Sequence, residues 1–132
     1  MTSAYTNVQL QNILSRIRIP AQYHLDRHAT PDLEFLIVLH THILTAVPYE
    51  NLLLHYGNRK VSLEPQDLYE KIVKAGRGRG GYCMENSLFY MHLLRGLGFQ
   101  TYIAGVRIRR RIDGIPQGEY VGWSEVYSQL VE

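Results

Sequence analysis

Cys83 is the only cysteine in the chain, and three glycines and two arginines lead up to it in the stretch Arg77-Gly78-Arg79-Gly80-Gly81-Tyr82-Cys83-Met84-Glu85-Asn86. Apolar residues at helical spacing, Leu88 to Leu97, come next. Glycines let a backbone take positive φ and approach a ligand closely. A thiol that opens a helix sits where unpaired N–H groups and the helix dipole stabilise negative charge. This combination is the sequence form of an activated nucleophile. The competing reading is a buried structural cysteine beside a glycine-rich loop. The arginines and the glycines together favour the nucleophile.

Several elements must position that cysteine. Thr6-Asn7-Val8-Gln9 reads as a capping box, and Leu10, Ile13, Leu14 and Ile17 follow at helical spacing, with Pro20 expected to end the helix. Thr30-Pro31-Asp32 reads as an N-cap, a proline at the first helical position and an acid in the first turn. The helix it opens has Leu33, Leu36, Ile37, His40 and Leu44 as its expected buried stripe, stopping near Val47-Pro48. His40 then reads as a core histidine and His42 as partly exposed. Two apart on a helix, they make a poor metal pair. Val47-Pro48-Tyr49-Glu50-Asn51-Leu52 is an irregular segment whose carboxylate and amide are either turn chemistry or partners for Arg77 or Arg79. Val61 to Leu63 reads as a short extended piece. Glu64-Pro65 opens a third helix through Leu68, Tyr69, Ile72 and Val73, closed by Gly76. The helix after Cys83 is apolar nearly all round and is expected to be buried on most sides.

Beyond Gly98 the period changes. Phe99 to Ile108 reads as a strand and Tyr120 to Val131 as its antiparallel partner, with a turn at Asp113-Gly114. The basic run Arg107 to Arg111 alternates with Ile108 and reads as a solvated face. The expected fold class is α+β: residues 1–97 a helical bundle carrying the nucleophile, and residues 98–132 the first strands of a sheet domain. Two strands alone are marginally stable and leave open edges. The expectation is therefore an incomplete fold, or one that self-associates through its strand edges.

Bulk properties narrow the function classes. Fourteen basic against twelve acidic residues give a net charge of +2, too little to argue for nucleic acid. One cysteine forms no internal disulfide, and no run of 18 apolar residues or signal-peptide pattern is present, so a cytoplasmic, reducing setting without a membrane is the expectation. No metal site is expected.

Arg79-Gly80-Gly81-Tyr82-Cys83, followed by Glu85-Asn86 and a Leu97-Gly98-Phe99 close, resembles the active-site signature of the arylamine N-acetyltransferases. Val47-Pro48-Tyr49-Glu50-Asn51-Leu52 resembles a second motif of that family at a fitting distance upstream. The resemblance implies a helical bundle, then a β-barrel, then an α/β lid, around a cysteine-protease-like core that is incomplete here. It implies no permanently bound cofactor. Acetyl-CoA is the implied acyl donor and arylamines or hydrazines the implied acceptors, through a cysteine thioester in ping-pong order. Cys83 matches the acetyl-accepting nucleophile. Arg79, Gly80, Gly81, Glu50 and Asn51 match supporting positions, and Tyr82 the aromatic residue beside the thiol.

One departure bears on activity. The resemblance implies a Cys-His-Asp triad, with the histidine in a Gly-Trp-Ser-His-like context, but the chain reads Gly122-Trp123-Ser124-Glu125. Glu125 thus stands at the expected base position, and the aspartate is expected past Glu132. His24, His28, His40, His42, His55 and His92 all lie outside the expected strand. His92 points away from Cys83 and lies about 13 Å along the helix axis. The expectation is acetyl transfer that is weak or absent in the chain as written, or a non-catalytic homologue that binds a partner or an acyl-CoA.

Overall fold

The computed structural model describes residues 2–27, 30–57, 60–106, 109–120 and 126–131. Its first helix, α1 (Asn7–Arg16), starts as the capping box requires. The Gln9 N–H donates to Thr6 Oγ1 at 3.3 Å and the Thr6 N–H donates to Gln9 Oε1 at 3.0 Å. Leu10, Ile13, Leu14 and Ile17 are all buried. The helix ends before Pro20, and by a different device. Arg18 takes φ +56°, its N–H donates to Ser15 O at 3.1 Å, and the Ile19 N–H reaches back to Leu14 O at 3.1 Å. That pair of bonds is a Schellman turn, which satisfies carbonyls the helix end would orphan.

In α2 (Leu33–Ala46) the N-cap is Asp32, not Thr30, and its carboxylate accepts from the Phe35 N–H at 2.8 Å. The expected buried stripe is also corrected. Phe35, Leu39 and Ile43 enter the core, while Leu33, Ile37 and Leu44 are 71%, 57% and 67% exposed and His40 is exposed. The helix is apolar on both faces, so periodicity does not say which face turns inward. Phe35 decides it: its ring stacks on Tyr23 at 5.5 Å and tilts against Phe99 at 6.0 Å.

A short helix, α3 (Leu52–Tyr56), begins at the last residue of the segment that reads as irregular. Residues 61–63, read as a short extended piece, belong to no regular element. Then α4 (Pro65–Tyr69) runs straight into a π-helical turn, Glu70–Lys74, and the chain leaves it at Gly76 with φ +63°. The helix carrying the thiol, α5 (Cys83–Gly96), closes on a second Schellman turn with Gly98 at φ +94°. Gly96 lies so close to α1 that a Cβ there would meet Leu10 at 2.5 Å. Leu10, Leu14, Leu39, Leu68, Ile72, Phe89, Leu93 and Leu94 share one core. The helical half of the expected architecture is present.

Strand β1 (Thr101–Val106) pairs antiparallel with β4 (Val126–Val131), in register from Thr101 opposite Val131 to Val106 opposite Val126. The Arg95 guanidinium ties α5 to this pair by donating to Thr101 O at 3.1 and 3.0 Å. Asp113-Gly114 turns the chain as expected, but within a separate hairpin of β2 (Arg111–Ile112) and β3 (Ile115–Pro116). Asp113 and Gly114 both have positive φ, 49° and 78°, which is the type I′ geometry of a two-residue hairpin. Arg109, Arg110 and Arg111 are exposed, while Arg107 and Ile108 of the same basic run lie outside the described residues.

Candidate functional site: the Cys83 turn

Cys83 is the first residue of α5 and its side chain is half-buried. The glycines before it divide the labour. Gly76 and Gly78 supply positive φ, 63° and 67°. Gly80 and Gly81 supply closeness instead. A Cβ on Gly80 would lie 1.8 Å from Pro48 O, and one on Gly81 would lie 2.6 Å from the Glu85 Cβ. The Pro48–Asn51 segment and the glycine-rich loop before Cys83 therefore run against each other backbone to backbone. Tyr49 and Gly81 form an isolated parallel bridge, in which the Glu50 N–H donates to Gly81 O at 2.9 Å. Asn86, one turn into α5, donates to the same carbonyl at 2.8 Å.

Charges hold this joint from the inside. The Arg79 guanidinium donates to Glu50 Oε1 from Nη2 at 2.8 Å and from Nε at 3.1 Å. Lys71 lies 3.4 Å from that same oxygen and 2.8 Å from Glu85 Oε1. The other Glu85 oxygen accepts the Tyr82 N–H at 3.0 Å, immediately before Cys83. Burial alone would raise the Glu50 pKa. The hydrogen bond from Arg79, the Lys71 charge and the Leu52 N–H outweigh it and hold the carboxyl below its ordinary range.

Of the residues expected at the site, Glu50, Arg79, Gly80, Gly81, Tyr82 and Cys83 come together in this turn. Asn51 does not join Arg79; its amide lies 3.2 Å from His55 Nε2. Arg77 is exposed. Glu125 and His28 lie outside the described residues. The other five histidines make their described contacts elsewhere: His24 with Gln11, His40 with the Tyr90 ring, His42 with Ile17 O, His55 with Asn51, and His92 with the Ala4 N–H. Sequence reasoning missed Lys71 and Glu85. Glu85 had a signal, a glutamate at the third position of a helix that starts at Cys83. Lys71 had none.

Beside the turn, the outer face of α2 and the flank of α5 enclose a largely apolar groove of about 560 Å³. Leu36, Ile37 and Leu44 line one wall, and Asn86, Ser87 and Tyr90 the other. Asn86 and Ser87 lie three and four positions after Cys83, so the groove opens on the helix face that continues from the thiol. Tyr90 Oη and Asn86 Oδ1 are buried with no hydrogen-bond partner among the described residues. Among the described residues no cluster of three His, Cys, Asp or Glu is placed to hold a metal ion, and no helix is long and apolar enough to cross a membrane.

Comparison with known proteins agrees with this geometry. Residues 32–116 match the N-acetyltransferase family model. An N-malonyltransferase of Fusarium pseudograminearum is 33% identical, over 92% of this chain and 40% of that protein. A pineal-gland arylamine N-acetyltransferase isozyme of Gallus gallus is 42% identical, over 58% of this chain and 26% of that protein. The structure of the arylamine N-acetyltransferase of M. tuberculosis superposes with a TM-score of 0.67 at 26% identity, covering 92% of this chain and 40% of that one. The chain thus spans about 40% of the length of the fungal relative and of the mycobacterial structure. The matched segment contains both motifs and the turn that joins them, and the chain belongs to the arylamine N-acetyltransferase family.

Proposed function

We propose that Cys83 accepts an acyl group from an acyl-CoA and passes it to an arylamine or hydrazine nitrogen. Sγ attacks the donor's thioester carbonyl, the C–S bond to CoA breaks, and CoA leaves with the thiol proton. The amine nitrogen then attacks the Cys83 thioester, gives up a proton, and the thiol is restored. The observation that carries this reading is the place of Cys83, half-buried at the first position of α5 on a turn pinned to Pro48–Glu50. Acetyl is the acyl group named for the avian relative and malonyl the one named for the fungal relative. A reducing cytoplasm would keep the thiol available. Turnover in the chain as written is weak, because Glu125 stands at the expected base position, where a carboxylate repels a thiolate that an imidazolium would attract.

Intact-mass spectrometry after incubation with acetyl-CoA, and separately with malonyl-CoA, tests this. The expected result is a sub-stoichiometric adduct of one acyl mass, mapped to Cys83 and absent from Cys83→Ala. A stoichiometric adduct within the first minutes would overturn the weak-turnover reading, and an adduct that persists in Cys83→Ala would overturn the choice of nucleophile. The groove between α2 and α5 favours a second reading, a non-catalytic homologue that holds an acyl-CoA or a protein partner. Saturable acyl-CoA binding with no adduct from either donor selects that reading over acyl transfer.

A further inference from the structure

Lys71 comes from outside both motifs, yet it is the group through which the charges around the nucleophile turn connect. It stands on the π-helical turn Glu70–Lys74, whose Ala75 N–H donates to Glu70 O five residues back at 2.9 Å. Such turns insert an extra residue into a helix and occur often at functional sites. This one is anchored on its far side, where the Arg16 side chain donates to Ile72 O at 3.2 Å. Its two lysines diverge. Lys74 pairs with Glu70 in solvent, while Lys71 runs inward with 12% of its side chain exposed.

There it meets two carboxylates. Glu50 is 11% exposed and Glu85 only 3%, and Lys71 contacts both, at 3.4 and 2.8 Å. Arg79 serves Glu50 alone among the described ion pairs. Lys71 is therefore the described cation that offsets Glu85. A buried carboxylate without a counter-charge is strongly disfavoured. Glu85 has a definite task, since its second oxygen holds the Tyr82 N–H at 3.0 Å in the residue before the thiol. Its stem also fills the space that a side chain on Gly81 would occupy.

We propose that Lys71 is a positioning residue for Cys83: by neutralising Glu85 it keeps a buried acceptor on the Tyr82 N–H, and so holds the turn that presents the thiol. This rests on reading Cys83 as the nucleophile. The task of Glu85 is to accept one N–H, and an uncharged amide can do that without a cation. Removing Lys71 alone leaves two carboxylates facing one guanidinium. Removing both charges together leaves Arg79 matched with Glu50 and the acceptor in place. The double substitution should therefore do less harm than the single one, which independent structural contacts do not predict.

Because Cys83 is the only cysteine, alkylation of the full chain by iodoacetamide, followed by intact mass across pH, reads its presentation directly. Lys71→Arg is expected to alkylate within about threefold of wild type. Lys71→Met is expected to slow it about tenfold and to move the pH profile upward. Lys71→Met/Glu85→Gln is expected to return to within about threefold, with its pH profile restored. A Lys71→Met protein that alkylates at the wild-type rate overturns the proposal, as does a double variant no faster than Lys71→Met. Should Lys71→Met fail to fold by circular dichroism, Glu85→Ala decides. Slowing of about tenfold supports the role, since the acceptor is gone, and a wild-type rate overturns it. Alkylation needs no acyl-CoA, so this pattern in a protein that takes no acyl group would sink the proposed reaction and leave the positioning role standing. Normal acylation with all variants alkylating alike would do the reverse.

Discussion

At Glu50, burial pulls the carboxyl toward its neutral form while Arg79, Lys71 and the Leu52 N–H pull it toward the anion, and the latter win. A carboxyl whose folded pKa lies below its unfolded value adds stability above the unfolded value, and that stability is lost as pH falls through the folded one. The unperturbed value is 4.5, so the loss belongs to the acid side of that pH. We expect the urea midpoint of the wild type to fall more steeply below about pH 4.5 than that of Glu50→Gln. Parallel curves would remove the paired Glu50 from the account. The Glu50–Arg79 pair was half-legible in the sequence, which offered an acid and an amide on one segment and two arginines on the other. The Tyr49–Gly81 bridge sets the register that selects Glu50 with Arg79 and leaves Asn51 to His55. Glu85 was harder to read. A glutamate in a helix's first turn ordinarily faces solvent beside the dipole, and this one is buried because Gly81 leaves room for it.

At the scale of elements, α1 and α5 end on the same Schellman geometry with different residues in the left-handed position. Arg18 occupies it at φ +56° and Gly98 at φ +94°. An L-residue there carries a strain of about 1–2 kcal/mol that glycine avoids. Arg18→Gly is therefore expected to raise stability by about 0.5–1 kcal/mol in chemical denaturation, and Gly98→Ala to lower it by about 1–2 kcal/mol. A loss of stability in Arg18→Gly, or a gain in Gly98→Ala, would refute the strain account. A Cβ at position 98 meets Pro31 only at 3.5 Å, an ordinary contact, so crowding does not confuse the comparison. The sequence marked Gly98 as a stop and placed the other stop at Pro20, two residues late, because no side-chain rule singles out an arginine for positive φ. Helix α2 shows the same limit. Its existence was plain, but its inward face was settled by Tyr23 and Phe99, far apart in sequence and adjacent in space.

Across the whole molecule, the apolar stripe of α2 that faces outward leaves Leu33, Ile37 and Leu44 in solvent beside the groove. Adjacent exposed apolar side chains mark interaction surfaces more often than they mark stability. Ile37→Lys/Leu44→Lys is thus expected to keep its unfolding free energy to within about 0.5 kcal/mol. The same variant should bind markedly less of a fluorescent apolar dye at micromolar concentration. A loss of cooperative unfolding would mean that these side chains are core residues after all. The expected strand pairing of the C-terminal part is present in β1 and β4, while Asp113-Gly114 serves a hairpin of its own instead of joining them. Local turn chemistry names a type I′ turn without naming the strands it connects.

The sequence by itself determined the family, the helix starts at Thr6 and Pro65, and the identity of the one thiol at a helix start. Each depends on neighbours within a few positions, where backbone sterics, caps and motif spacing act. Only the tertiary structure decided which arginine meets Glu50, which face of α2 is buried, and that Lys71 stands between two buried carboxylates. Those outcomes depend on segments brought together from a distance, where close packing and the cost of an unpaired buried charge choose among arrangements that local rules leave equal.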